Sequence, residues 1–238
     1  MSTSHAGDDI VAANAGWTFD GDVAKHFDEH VSKSVPLYKE GHELVCKLSD
    51  FFLSDGSACY ELGCSTAALT EKLAAHNAAK QVTFYGIDRV PEMIAQAGQR
   101  CAGRPNIRLI TQDLLDIQFE KADLIVAYYT MQFIRPQNRQ ILFDRIYEAL
   151  NWGGAFIMFE KVRAQDARFQ DIATTLYADF KLDQGYNAEE IVAKTRSLKG
   201  VLEPFSTQGN VDLLKRAGFV DILSVMKYLC FEGFLAIK

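Results

Sequence analysis

Cys59-Tyr-Glu-Leu-Gly-Cys-Ser-Thr-Ala-Ala-Leu-Thr70 reads as the end of a buried strand, a tight turn and the first turns of a helix. Residues 58–62 are mostly apolar and carry an acid, Glu61, where a parallel strand would reach the carboxyl edge of its sheet. Gly63 suits a backbone that turns sharply and lets a ligand come close, because no Cβ stands in the way. Ser65 or Thr66 is placed to cap the following helix, leaving free N–H groups beside a bound ligand. Further on, Val82-Thr-Phe-Tyr-Gly-Ile-Asp88 is a second apolar strand ending in an acid. An acid there is where a nucleoside-binding βαβ unit holds two ribose hydroxyls.

A glycine turn followed by an acid is common in α/β loops, and its weight here comes from the alternation around it. Strands are predicted over 58–62, 82–87, 107–111, 122–127 and 154–160, with helices over 65–78, 91–102 and 137–150 between them. Strands separated by helices of this length form a parallel sheet covered on both faces. A helix over 209–217 follows, then strands over 219–226 and 229–237 joined by a very short link, which must pair antiparallel. The expected fold is α/β and Rossmann-like, a mainly parallel seven-stranded sheet ending in an antiparallel hairpin. Helices over 21–33 and 39–53 precede the sheet and belong to a helical lid spanning 17–54. A polar helical insertion occupies 164–205, and residues 1–16, small and polar, are expected to be flexible. Residues 17–238 then make one domain.

The 238 residues, 48% hydrophobic, suffice for one sizeable core. No apolar run of signal-peptide type or bilayer length is present, so a cytoplasmic protein without membrane contact is expected. The net charge of −6 and the lack of a visible basic patch argue against direct nucleic-acid binding. The cysteines at 46, 59, 64, 101 and 230 show no CxxC pair or zinc spacing, and Cys59 and Cys230 read as core thiols in strands. His26 and His30 lie one turn apart on the first helix. With no third ligand nearby they read as solvent-facing or structural, and no metal site is expected.

With Glu61-Leu-Gly-Cys64, Asp88 and Gln112-Asp113 in this order, and the closing hairpin, the chain resembles class I S-adenosylmethionine (SAM) dependent methyltransferases. The resemblance implies SAM as cofactor. Gly63, with Cys64 and Ser65, would let the methionine half lie over the first turn. Asp88, beside Arg89, would accept from the ribose diol, and Asp113 would meet the adenine amino group with the Leu114 backbone alongside. Trp17-Thr-Phe-Asp20, Ser34-Val-Pro-Leu-Tyr38, Gln132-Phe133, Glu160-Lys161, Asp179-Phe-Lys181 and Gly185-Tyr186 are similar to segments of the carboxy-SAM synthases, a likeness running from about residue 16 to the last. Those enzymes transfer a carboxylate derived from prephenate onto the SAM methyl carbon. The likeness implies that Tyr38 reaches back to the methionine carboxylate, and that the protein is a homodimer with insertion elements crossing between subunits.

Three departures accompany the likeness. In the carboxy-SAM synthases an arginine directly after the lysine holds the added carboxylate, whereas here Lys194 is followed by Thr195 and Arg196 comes one place later. One residue turns a helix by about 100°, and a threonine cannot replace a bidentate guanidinium. The Asp-Asn after the second strand is Asp88-Arg89, and an asparagine after the fourth is Tyr128, followed by Tyr129. Tyr128 and Tyr129 fall beside the expected sulfonium, and strand alternation predicts one ring inward and one outward. Tyr177 and Tyr186 in the insertion complete the candidate catalytic residues. A π face stabilises a dry cation by about 0.5–2 kcal/mol. With no strong general base in evidence, two reactions suit the pattern. One is methyl transfer to a small-molecule substrate under the insertion. The other uses SAM alone: its amino nitrogen displaces methylthioadenosine from the γ-carbon, giving azetidine-2-carboxylate. Carboxy-SAM synthesis and non-catalytic SAM binding remain as further readings.

Overall fold

A computed structural model describes residues 3–7, 10–19 and 21–238. Asp20, quoted above with Trp17, lies outside the described residues. The chain opens with β1 (Thr3–His5) paired antiparallel to β2 (Val11–Ala13). This stretch was expected to be flexible, yet Ala6 and Ile10 are buried with Trp17, and the backbone N–H groups of Ala15 and Trp17 donate to the carbonyls of Arg196 and Ser197. Small residues let the hairpin lie close on the insertion, a contact that composition alone does not announce.

The central sheet contains β3 (Ala58–Leu62), β4 (Thr83–Asp88), β5 (Ile107–Thr111), β6 (Ala122–Tyr128), β7 (Leu150–Lys161), β8 (Asp221–Tyr228) and β9 (Phe231–Ile237). Their order is β5-β4-β3-β6-β7-β9-β8; β9 runs antiparallel to both neighbours and the other pairs are parallel. The fold is therefore the expected α/β, mainly parallel seven-stranded sheet with an antiparallel end. The winding direction reverses between β3 and β6, which opens a crevice at their carboxyl ends, the place where open α/β sheets bind ligands.

Alternation along the strands builds a core on each face. Ile125, Ala127, Phe156 and Met158 pack with Leu142, Phe143 and Ile146 of α5 (Pro136–Ala149) and Leu213 and Leu214 of α8 (Thr207–Ala217). Leu124, Val126, Ile157 and Phe159 pack with Val45 of α2 (Tyr38–Ser49) and Leu69 and Leu73 of α3 (Ala68–His76). Proline opens both α4 (Pro91–Arg100) and α5, where its missing N–H costs nothing. Above the crevice lie α1 (Asp22–Ser34), α6 (Ala167–Asp183), capped by Asp166, and α7 (Ala188–Ser197), closed by an Asn187–Glu190 capping box.

Two local expectations are corrected. Neither Ser65 nor Thr66 caps α3: Ser65 and Ala67 take left-handed φ values of 49° and 58°, Ala67 is the cap residue, and the Thr66 hydroxyl donates to Asp28. Cys230 is buried but lies in the turn between β8 and β9, not in a strand. No helix among the described residues is long and apolar enough to cross a membrane.

Candidate active site

A cavity of about 560 Å³ fills the crevice, bounded below by the carboxyl ends of the strands and above by α1, α6 and α7. Leu37, Ser65, Ala67 and Tyr129 all adopt left-handed φ values at or beside it, the kind of local strain that persists where surrounding structure enforces it. Six of the residues expected to hold SAM line one side: Glu61, Gly63, Cys64, Ser65, Asp88 and Arg89, with Asp113 and Leu114 next along the sheet.

The β3 turn folds over the end of β4, because the N–H groups of Gly63 and Cys64 both donate to the Ile87 carbonyl, at 2.8 and 2.9 Å. Gly63 has φ 72°, and a Cβ there would lie 2.5 Å from the Thr130 side chain. The glycine is thus required by protein packing as well as by any ligand. Asp88 ends β4 and accepts from the N–H groups of Ser65 and Val90, each at 2.9 Å. Burial pushes its carboxyl above the ordinary value even so. A carboxylate offers about four acceptor positions, so capacity remains for a diol facing the cavity. Asp113 accepts from the Leu115 N–H at 2.9 Å. Glu61 is buried and takes the Thr70 hydroxyl; desolvation raises its pKa to about 8, with Asp88 adding to the rise. A neutral Glu61 would ionise readily beside a cationic ligand.

Aromatic rings wall the middle of the cavity. Leu37 turns the chain into α2 and sets Tyr38 5.1 Å from Tyr128 and 6.3 Å from Tyr129, between ring centroids. The Tyr128 hydroxyl donates to the Tyr38 carbonyl at 2.7 Å. Gly41 makes this reach possible, since a Cβ there would lie 2.1 Å from that hydroxyl oxygen. The expected alternation of Tyr128 and Tyr129 fails. Both rings line the cavity in the same cluster, 4.8 Å apart, because the left-handed φ of 60° at Tyr129 folds its side chain back to the face that Tyr128 occupies.

Tyr177 of α6 also lines the cavity, and its hydroxyl donates to the Ser34 carbonyl at 2.8 Å, tying the insertion to the lid. Tyr186, expected beside it, is not among the lining residues. It packs on Gly7 and meets His30 Nδ1 and Ser34 Oγ, each at 3.3 Å; those two residues line the cavity and Tyr186 stands behind them. A turn after α6 carries it round to that side. Buried His30 stacks on Trp17 and bonds Lys194, whose ammonium also reaches Ser34 Oγ at 2.7 Å. His30 lines the cavity within this network whereas His26 is exposed, so the two do not share one site. Thr195 faces the cavity with its hydroxyl donated to the Ile191 carbonyl at 2.7 Å, and Arg196 is not among the lining residues.

Lys161 at the end of β7 and Lys181 on α6 also line the cavity; sequence reasoning quoted them in family-like segments but gave them no role, and Arg163 and Lys199 were not singled out at all. The available signal was a lysine directly after a buried strand at the sheet's carboxyl edge. Among the described residues no group of three His, Cys, Asp or Glu side chains could hold a metal ion.

A family described as a methyltransferase domain matches residues 60–154. The carboxy-S-adenosyl-L-methionine synthase of Staphylococcus epidermidis is 36% identical over 93% of this chain and 97% of its own. That of Campylobacter jejuni is 40% identical over 92% and 93%. Among solved structures, an O-methyltransferase family protein from Burkholderia thailandensis superposes with a TM-score of 0.67 at 14% identity, covering 90% of this chain and 59% of that one. Human N-acetylserotonin methyltransferase in complex with SAM gives 0.57 at 18%, covering 93% and 60%. These structural likenesses bear on the fold.

Proposed function

From the premise that the chain belongs to the carboxy-SAM synthase family and is a SAM-dependent enzyme, we propose that SAM is its whole substrate. The enzyme closes the methionyl chain to azetidine-2-carboxylate and releases methylthioadenosine. The observation that carries this reading is at position 195. The wall presents a threonine whose hydroxyl is spent on its own helix, Arg196 lies elsewhere, and no guanidinium at this turn reads a second carboxylate. Tyr129, Tyr177 and Phe231 meanwhile crowd the cavity over β7 and β9, away from Asp88 and Asp113.

In this reading Asp88 accepts from the ribose diol and Asp113 with Leu114 flanks the adenine. Gly63, Cys64 and Ser65 run along the methionyl chain. Arg89 borders the adenosine, Tyr38 reaches toward the methionine carboxylate, and Glu61, Tyr128 and Tyr129 surround the sulfonium. The bond formed is Cγ–N and the bond broken is Cγ–S. The α-ammonium first gives one proton to solvent; as the neutral amine attacks, the electron pair leaves with sulfur and the positive charge passes to nitrogen. An amine that arrives neutral needs no base, so the protein's work is to fold the chain and exclude water. Such alignment can supply several kcal/mol of the barrier reduction, and each dry π face about 0.5–2 kcal/mol.

Mass spectrometry of products from SAM alone, with prephenate and with Thr195→Arg tests the reading. Azetidine-2-carboxylate and methylthioadenosine from SAM alone, above a no-enzyme control, are expected. Carboxy-SAM formed by the unaltered chain with prephenate would instead assign it the reaction named for its relatives. S-adenosylhomocysteine appearing with an added acceptor would make it a methyltransferase, and unchanged SAM throughout would make it a binding protein. A homodimer belongs to the same reading, supported by exposed Phe169, Ile172 and Leu176 on one face of α6; light scattering at the mass of one chain would contradict it.

A further inference from the structure

Lys161 and Lys181 share one aromatic ring. Tyr177 and Lys181 lie four residues apart on α6, hence on one helix face, and Lys161 ends the buried run of β7 beneath them. The Lys161 ammonium is 4.1 Å from the Tyr177 ring centroid and that of Lys181 is 4.5 Å away. Lys161 also sits 5.8 Å from the Phe231 ring. Lys181 is only 5% exposed, yet among the described residues neither ammonium has a hydrogen-bond acceptor or ion-pair partner. Lys161 is only partly buried, and neither nitrogen is shut into the core, so both ammonium groups are open to an anion from the cavity side. Both line the cavity.

The charges around them are laid out along the sheet. Glu61, Asp88 and Asp113 face the cavity over β3, β4 and β5, while Lys161 and Lys181 face it over β7. Arg163 and Lys199, both cavity-lining, lie close enough to Lys161 to disfavour its charged form, and Lys161 does the same to Lys181. Burial is the larger cause for both lysines. One cationic corner that repels itself is an arrangement completed by an anion. Two separate ammonium groups on one ring match the two oxygens of one carboxylate, with the Arg163 guanidinium on the same wall.

Resting on the reading above, we propose that Lys161 and Lys181, held on the Tyr177 ring, form a carboxylate receptor that anchors the far end of the methionyl chain. The carboxylate is that of SAM itself or that of a second organic acid. If it is that of SAM, the adjacent α-amine lies near two cations. They favour its neutral, nucleophilic form, and the anchored chain folds back toward the sulfonium.

The test is calorimetric titration of the full chain with SAM and with methylthioadenosine, which lacks the carboxylate. Lys161→Met and Lys181→Met are each expected to weaken SAM at least ten-fold and to leave methylthioadenosine within two-fold; the latter also reports that the variant is folded. Lys181→Arg keeps the charge and is expected to retain most of the SAM affinity. If a Met variant does not fold, the pH dependence separates the cases. In the unaltered chain the preference for SAM over methylthioadenosine should decline above about pH 8, following Lys181, and in Lys181→Arg this decline should vanish. Should SAM be unaffected while saturable prephenate binding to the SAM complex disappears in the Met variants, the receptor stands for a second acid and the cyclisation reading falls. If neither ligand responds to either substitution or to pH, there is no receptor, whatever the product analysis says of cyclisation.

Discussion

Asp88 is the residue on which the proposed ribose contact rests. Its two backbone donors hold the carboxylate rigid, and its remaining acceptor positions face a desolvated cavity. Hydrogen bonds to a charged acceptor contribute roughly 1.5–3 kcal/mol each. Asp88→Asn keeps an acceptor for one backbone donor while removing the charge, so SAM affinity should drop roughly 10- to 100-fold. Equilibrium dialysis measures this, and an unchanged affinity would refute the ribose assignment. The place of Asp88 at the end of β4 was readable in the sequence because an apolar run closing on an acid marks a strand reaching the sheet edge. Lys181 was not, because a lysine within a polar helix usually faces solvent, and its burial depends on Tyr177 and β7 arriving from elsewhere.

At the scale of elements, α2 and β6 are locked by the Tyr128–Tyr38 hydrogen bond passing over Gly41. Gly41→Ala should destabilise the protein by about 1–3 kcal/mol through overpacking, despite the better helix propensity of alanine. In a Tyr128→Phe background, where the clashing oxygen is gone, more than half of that cost should disappear. Chemical denaturation of the four proteins gives the coupling directly, and additive effects would mean that the helix shifts to accommodate the methyl group. The four strands β3 to β6 were legible to within a residue, because buried apolar runs between helices leave little choice, whereas β7 starts four residues earlier than expected, β8 lies two later, and β1 and β2 were not foreseen. The start of α3 was missed because two left-handed residues, Ser65 and Ala67, delay it; neither is a residue type that signals such a turn. Tyr129 was misjudged for the same reason, since alternation holds only while φ stays extended.

Across the whole molecule, buried carboxyl groups set the pH response. Desolvation raises Glu61 and Glu160 from 4.5 to about 8. Between these values the folded chain keeps protons that the unfolded chain has released, so stability falls as pH rises through the window, by at most about 1.4 kcal/mol per pH unit for each group. Lys181, lowered from 10.5 to about 8, acts above it and in the opposite sense, adding stability as pH rises from 8 to 10.5. Buried His42, lowered from 6.5 to about 3, opposes the carboxyl groups below pH 6.5, so the melting temperature of the ligand-free protein should decline most clearly from pH 6.5 to 8, where Glu61→Gln with Glu160→Gln should flatten the curve. A rising melting temperature over that range would contradict the assignment. The cavity roof has a different consequence. Its fastenings join residues far apart in the chain: Tyr177 to Ser34 across 143 positions and Lys194 to Ser34 across 160. During synthesis α1 leaves the ribosome long before the helices that hold it exist. The strands β3 to β7 precede those helices and β9 follows them, so both the roof fastenings and the β9 edge of the floor wait on the last third of the chain.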